Sequence, residues 1–164
     1  RWPAFGEKRA LGVPFEEALA LVADEREAAP PLYWWAQCRM LAANERGLGA
    51  TIAAHKAVFT VMERVAALDP DYWYAGADRY LGVIYAAAPA IAGGDLVRSR
   101  AHFEAARARA PGFLETELLY AMFHRDRTLL EAVARGDGAD PDPELAPEQE
   151  VARKKAQLLR DRER

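Results

Sequence analysis

A proline followed by large aromatic residues recurs along this chain at a spacing of about 40 residues, and that recurrence restricts the possible folds more than any other feature. Pro31 precedes Leu32-Tyr33-Trp34-Trp35, Pro70 precedes Asp71-Tyr72-Trp73-Tyr74, and Pro111 precedes Gly112-Phe113-Leu114. In a helical sequence such a period signals stacked helix pairs, each unable to bury its apolar face alone. The first unit predicts helices over 32–46 and 51–68, broken at Gly47-Leu48-Gly49. The second predicts helices over 76–91 and 95–110, broken at Gly93-Gly94. A shorter pair is expected over 113–125 and 126–135, ended by Gly136.

Composition supports helix throughout. Ala, Leu, Arg and Glu, all strong helix formers, dominate, whereas Ser99 is the only serine and Asn44 the only asparagine. With 51% hydrophobic and 29% charged residues, the chain belongs with globular rather than disordered sequences. A single domain over 1–164 is expected, with an N-terminal helix region (1–30), repeats (31–136), then an acidic loop and cap helix (137–164). Pro14 and Phe15 mark a helix start, Ala18, Leu19, Val22 and Ala23 its apolar stripe, and Pro30-Pro31 its close. Asp95 stands where an N-cap belongs. After it Leu96, Ser99, Phe103, Ala106 and Ala110 share one face, while Arg98, Arg100, Glu104 and Arg107 point away. Residues 137–147 hold three prolines and four acids and read as an exposed loop. A last helix over 148–162 opens with Glu148 and Glu150 and ends with Arg160 and Arg162, in the order a helix dipole favours.

The stretch from Leu81-Gly82 and Tyr85 to Phe103, Ala106 and Pro111 is similar to a tetratricopeptide repeat, with about five extra residues in the turn Ala88-Pro89-Ala90-Ile91-Ala92-Gly93-Gly94. The expected fold is therefore all-α, a tetratricopeptide-like α-α superhelix of about two and a half helix pairs plus flanking helices. A longer ordered series carries a more specific resemblance: Leu68-Asp69-Pro70-Asp71-Tyr72-Trp73-Tyr74-Ala75-Gly76, Arg79, Leu81-Gly82, Tyr85, Pro89, Gly93-Gly94-Asp95, Ala101-His102-Phe103, Ala106, Pro111, Phe113-Leu114 and Leu119-Tyr120-Ala121. This series resembles the T-component of TRAP transporters, over roughly residues 30–160. Ala75 stands where that family usually has glycine, a mild change. The resemblance implies a periplasmic lipoprotein that binds the substrate-binding P-component of a TRAP transporter. It further implies a homotrimer with a pore for an apolar small molecule, although this chain is shorter than the long members of the family. The alternative is a tetratricopeptide-like scaffold that grips only protein and has no ligand cavity.

The residues offer little reactive chemistry. His55, His102 and His124 lack metal-ligand spacing, and Cys38 and Ser99 have no recognisable base and orienting partner. Paired acids such as Glu16-Glu17 and Asp24-Glu25 read as solvated helix faces. No catalytic residue, metal or cofactor is expected. A net charge of −3 gives nucleic-acid binding no electrostatic support. The basic end, Arg153 to Arg164, is interleaved with Asp161 and Glu163, which favours a solvated cap over a lipid-binding patch. No apolar run reaches the roughly 20 residues that cross a bilayer. The chain opens on Arg1 rather than methionine, so a native N-terminus is expected ahead of it, and the resemblance implies a lipid anchor there. Binding of a ligand or partner is expected at Trp34, Trp35, Tyr72, Trp73, Tyr74, Arg79, Tyr85 and Pro89. The rings offer large apolar area with polar tips, or else pack as core between repeats. Arg79 could clamp a carboxylate, or pair with Asp71 or a helix C-terminus. The lengthened turn at Pro89 reads equally as a docking loop and as a spacer.

Overall fold

The structure, a computed structural model, describes residues 3–22 and 25–162. Arg1, Trp2, Ala23, Asp24, Glu163, Arg164 and the side chains of Glu16 and Ala92 lie outside what is described. The described residues form nine α-helices joined by short turns, without a strand, so the chain is all-α. It divides into two compact units, Arg1–Tyr72 and Trp73–Arg164.

The first unit carries α1 (Pro3–Ala10), α2 (Phe15–Leu19), α3 (Ala29–Glu45) and α4 (Leu48–Leu68). Helix α1 has no counterpart in the sequence expectation. Its core joins Leu32, Tyr33, Ala36 and Ala43 of α3 to Ala54, Val58, Val61, Met62 and Val65 of α4. Ala18, Leu19 and Val22 are buried with them. Pro30 and Pro31 open α3 instead of closing the preceding helix. Their missing N–H groups fall in a first turn, where no intrahelical acceptor exists, and their fixed φ suits entry into a helix. The break between α3 and α4 is Gly47 alone, at φ 96°, while Gly49 is already helical. Only the first glycine needs the backbone freedom that glycine supplies.

The second unit holds most of α5 (Tyr72–Ala87), with α6 (Leu96–Arg109), α7 (Leu114–His124), α8 (Arg127–Arg135) and α9 (Ala146–Arg162). The regular part of α5 begins at Gly76, as expected, because Trp73–Ala75 are non-helical, and it ends at Ala87, four residues before the expected 91. Asp95 caps α6, its carboxylate accepting from the N–H groups of Val97 (2.8 Å) and Arg98 (3.1 Å). Gly82 lets α5 and α6 meet: a Cβ there would stand 2.8 Å from the Phe103 ring. The Ser99 hydroxyl donates to the Gly82 carbonyl at 2.7 Å, locking that approach. Ser99, Phe103 and Ala106 are buried as the face requires, but Leu96 is 59% exposed. Leu96 lies in the first turn, ahead of the level at which Gly82 brings the helices together.

Leu114, Leu118 and Ala121 of α7, Leu130, Val133 and Ala134 of α8, and Ala152 and Ala156 of α9 form one apolar cluster. Gly136, at φ 81°, ends α8. The loop expected over 137–147 is shorter than its composition suggests, because a 3-10 turn at Pro143–Leu145 buries Leu145 and α9 begins at Ala146. Gln149 ties that end down: its side-chain nitrogen donates to the Gly112 carbonyl (2.8 Å), and its oxygen accepts from the Leu114 N–H (2.9 Å). Helices adjacent in sequence pack as pairs, α3 with α4 and α7 with α8, an arrangement compatible with tetratricopeptide-like stacking.

Candidate functional site

Trp73, Tyr74 and Ala75 interrupt α5 with three consecutive residues in the left-handed region, at φ 51°, 56° and 53°. L-residues with a Cβ disfavour this region by roughly 1–2 kcal/mol each, so the surroundings must over-determine the turn. Arg79, one turn further along α5 and only 4% exposed, supplies the restraint. Its guanidinium donates to the Tyr74 carbonyl (2.9 Å), the Trp73 carbonyl (3.3 Å) and, at 3.5 Å, the Thr116 hydroxyl. It stands 4.8 Å from the centroid of the Phe113 ring and 3.9 Å from the Glu115 carboxylate. Arg79 thus spends its shortest bonds on the backbone carbonyls of Trp73 and Tyr74.

The rings on this turn divide by exposure. Tyr74 stacks on Phe113, with centroids 4.8 Å apart and planes 10° from parallel. Burial raises the pKa of its hydroxyl, and the carboxylates of Asp142, Glu144, Glu148 and Asp140 push the same way. Trp73 remains 37% exposed. The buried cation and stacked tyrosine therefore form a rigid base from which a tryptophan is presented to solvent. Ala75 is fully buried at φ 53°, so the exchange from the glycine usual in the resembling family carries a backbone cost the sequence conceals.

The first unit carries its own aromatic group. Trp34 is 44% exposed and its indole N–H donates to the Tyr72 hydroxyl at 3.0 Å. Tyr33, buried between them, meets both rings edge-on. Trp35 points elsewhere and stacks on Phe15, centroids 4.0 Å apart. With Phe5, Arg9, Arg39 and Ala57 these two rings line a cleft of about 300 Å³. Sequence reading gave Phe15 a place at a helix start alone and passed over Phe5 and Arg39, because nothing local joins them to Trp35. Phe113 did stand in the repeat motif, but its role under Tyr74 and Arg79 is a tertiary fact.

Tyr85 is buried; its ring stacks on His102 and its hydroxyl accepts from Arg98 at 3.1 Å. Pro89 is exposed and leads into a 3-10 turn at Ala90–Ala92, where Ile91 is fully exposed. His102 pairs with Asp78 (2.9 Å), Glu104 faces solvent and Arg79 holds carbonyls, so these three groups do not converge on one point. Among the described residues, no cluster of three or more His, Cys, Asp or Glu side chains is placed to hold a metal ion. Among them, too, no helix is long and apolar enough to cross a membrane.

No curated protein matches the chain. Residues 13–164 match the family described as TRAP transporter T-component, which is most of the sequence and includes both aromatic groups. The chain belongs to the TRAP transporter T-component family.

Proposed function

We propose that this chain is a periplasmic accessory subunit of a TRAP-type uptake system, lipid-anchored in its full-length form, that docks on the substrate-binding P-component. Trp73 is the anchor of that docking surface. The observation that carries the reading is the left-handed turn at Trp73–Ala75, pinned by a buried arginine and presenting a half-exposed tryptophan. Strained backbone persists where the fold over-determines it, and such places cluster at binding sites. A rigid aromatic ring loses little entropy on burial, which makes tryptophan a frequent hot spot. Trp34, on the first unit, offers a contact of its own, and the chain works as a homotrimer that also holds an apolar small molecule.

The test is calorimetric titration of the purified cognate P-component into the chain. Trp73→Ala should weaken binding by roughly thirtyfold, the effect of a hot spot of about 2 kcal/mol. Its helical circular dichroism should be unchanged. Full affinity in Trp73→Ala would remove the docking reading. The second reading, a protein-binding scaffold without a ligand cavity, draws support from Tyr33 and Tyr74, whose rings are packed against neighbouring rings. Absence of any co-purifying or added ligand, with P-component binding intact, would select it.

A further inference from the structure

We propose that the cleft between α1, α2, α3 and α4 binds a small amphiphilic anion, with an apolar body between the rings and a terminal carboxylate on Arg39. The inference deepens the small-molecule half of the proposed function and is independent of docking at Trp73.

Three aromatic rings form the wall. Phe15 and Trp35 stack face to face, and Phe5 meets Phe15 edge-on at 5.8 Å. The volume, about 300 Å³, sits at the lower end of small-molecule sites. The charged side chains in the described lining are both guanidinium groups, Arg9 and Arg39, and that lining holds no carboxylate. This is a local excess of positive charge in a chain whose net charge is −3.

The two arginines are not equivalent. Arg9 donates to the Val13 carbonyl and lies 5.8 Å from the Phe15 ring centroid, so its position is held from within α1 and α2. Arg39 is exposed and has no hydrogen bond or ion pair among the described residues. A guanidinium presents its donors in a planar fork that fits a carboxylate through two parallel hydrogen bonds. Next to aromatic faces, the complement of that fork is an anion whose remaining surface is apolar. A neutral hydrocarbon would leave the Arg39 donors to water, and a hydrophilic anion would leave the rings uncovered.

Hydrocinnamate, a phenyl ring on a short chain ending in carboxylate, is the probe, and its neutral alcohol is the control. Both are titrated into the full chain by ligand-observed nuclear magnetic resonance. Hydrocinnamate should bind at least about fivefold more tightly than the alcohol, and added salt should narrow the gap. Arg39→Gln should abolish the preference and leave the alcohol's affinity unchanged, while Arg39→Lys should restore part of it. Arg39 is exposed, so these variants keep the packing, which circular dichroism checks. Trp35→Leu should weaken both probes; Phe5→Leu gives the same reading should Trp35→Leu unfold. Equal affinity for acid and alcohol, or a preference that survives Arg39→Gln, would overturn the anion inference and leave the apolar-ligand reading standing. Binding of neither probe would overturn both, and would leave P-component docking untouched.

Discussion

Trp73, Tyr74 and Ala75 occupy a backbone region that β-carbons disfavour, and Arg79 satisfies two of the carbonyls exposed by that turn. Removing the guanidinium leaves those part-buried acceptors without that donor. Arg79→Met should therefore cost about 2–4 kcal/mol in chemical denaturation, a large effect for a single side chain. Ala75→Gly should act in the opposite direction. Glycine relieves the left-handed penalty but gains freedom in the unfolded chain, so the net stabilisation should be roughly 0.5–1 kcal/mol. A loss of stability in Ala75→Gly would mean that the turn is not strained. His124 supplies a different kind of test. Its ring nitrogen lies 3.1 Å from the Ser99 hydroxyl, whose proton goes to the Gly82 carbonyl, so the imidazole donates to Ser99. Burial lowers its pKa from the ordinary 6.5, and Arg100 adds to the shift against a smaller opposing effect of Glu104. The unfolded chain thus takes up this proton more readily than the folded one. The stability tied to His124 is complete above pH 6.5 and declines as the pH falls through that value towards the lower folded pKa. Urea midpoints at about pH 7.5 and about pH 5.5 should differ in the parent and differ less in His124→Gln.

Whether a glycine serves the approach of two helices or merely interrupts one is decided by element packing. Gly82 and Gly49 look alike in a sequence, yet the first faces the Phe103 ring at 2.8 Å from a notional Cβ and the second faces open space. Gly82→Ala should cost about 1–3 kcal/mol by forcing α5 from α6. Gly49→Ala, in the first turn of α4, should be neutral or stabilising by up to roughly 0.5 kcal/mol. Thermal melts of the two variants give the comparison, and equal effects would show that Gly82 is not a contact glycine. The turn before α6 follows the same logic. Its length was visible as an insertion, but its shape comes from Gly93 at φ 89° and from Gly94, where a Cβ would overlap the Ala88 carbonyl. The Gly94 N–H donates to the Pro89 carbonyl and closes the turn on itself, while the Asp95 N–H donates to the Tyr85 carbonyl and ties the far end of the turn to α5. Asp95 and Asp126 then cap the helices that follow, α6 and α8.

For the molecule as a whole, the proposed trimer with an apolar ligand has a direct check. Native mass spectrometry of the purified chain, followed by organic extraction, should show three copies and a co-purifying apolar molecule. An empty monomer would count against both. The all-α class was legible from the alanine-rich composition and the proline–aromatic period, because helix propensity and apolar spacing act over a few residues. The Asp95 cap and the Gly136 stop were legible for the same reason, each resting on a local pattern. Family membership was readable too, since it rests on the order of motifs along the chain. The tertiary structure alone decided which rings pack and which remain exposed: Tyr74 and Trp73 are neighbours in one triplet, yet one stacks on Phe113 and the other meets solvent. It also decided the partners of Arg79: the sequence left open a carboxylate or a helix C-terminus, and the fold sets it on the Trp73 and Tyr74 carbonyls, with Thr116 and Glu115 beside it. The cleft of Phe5, Phe15, Trp35 and Arg39 belongs in that category as well. Contacts among residues far apart in sequence depend on how side chains fill a shared volume, and no local periodicity encodes that filling.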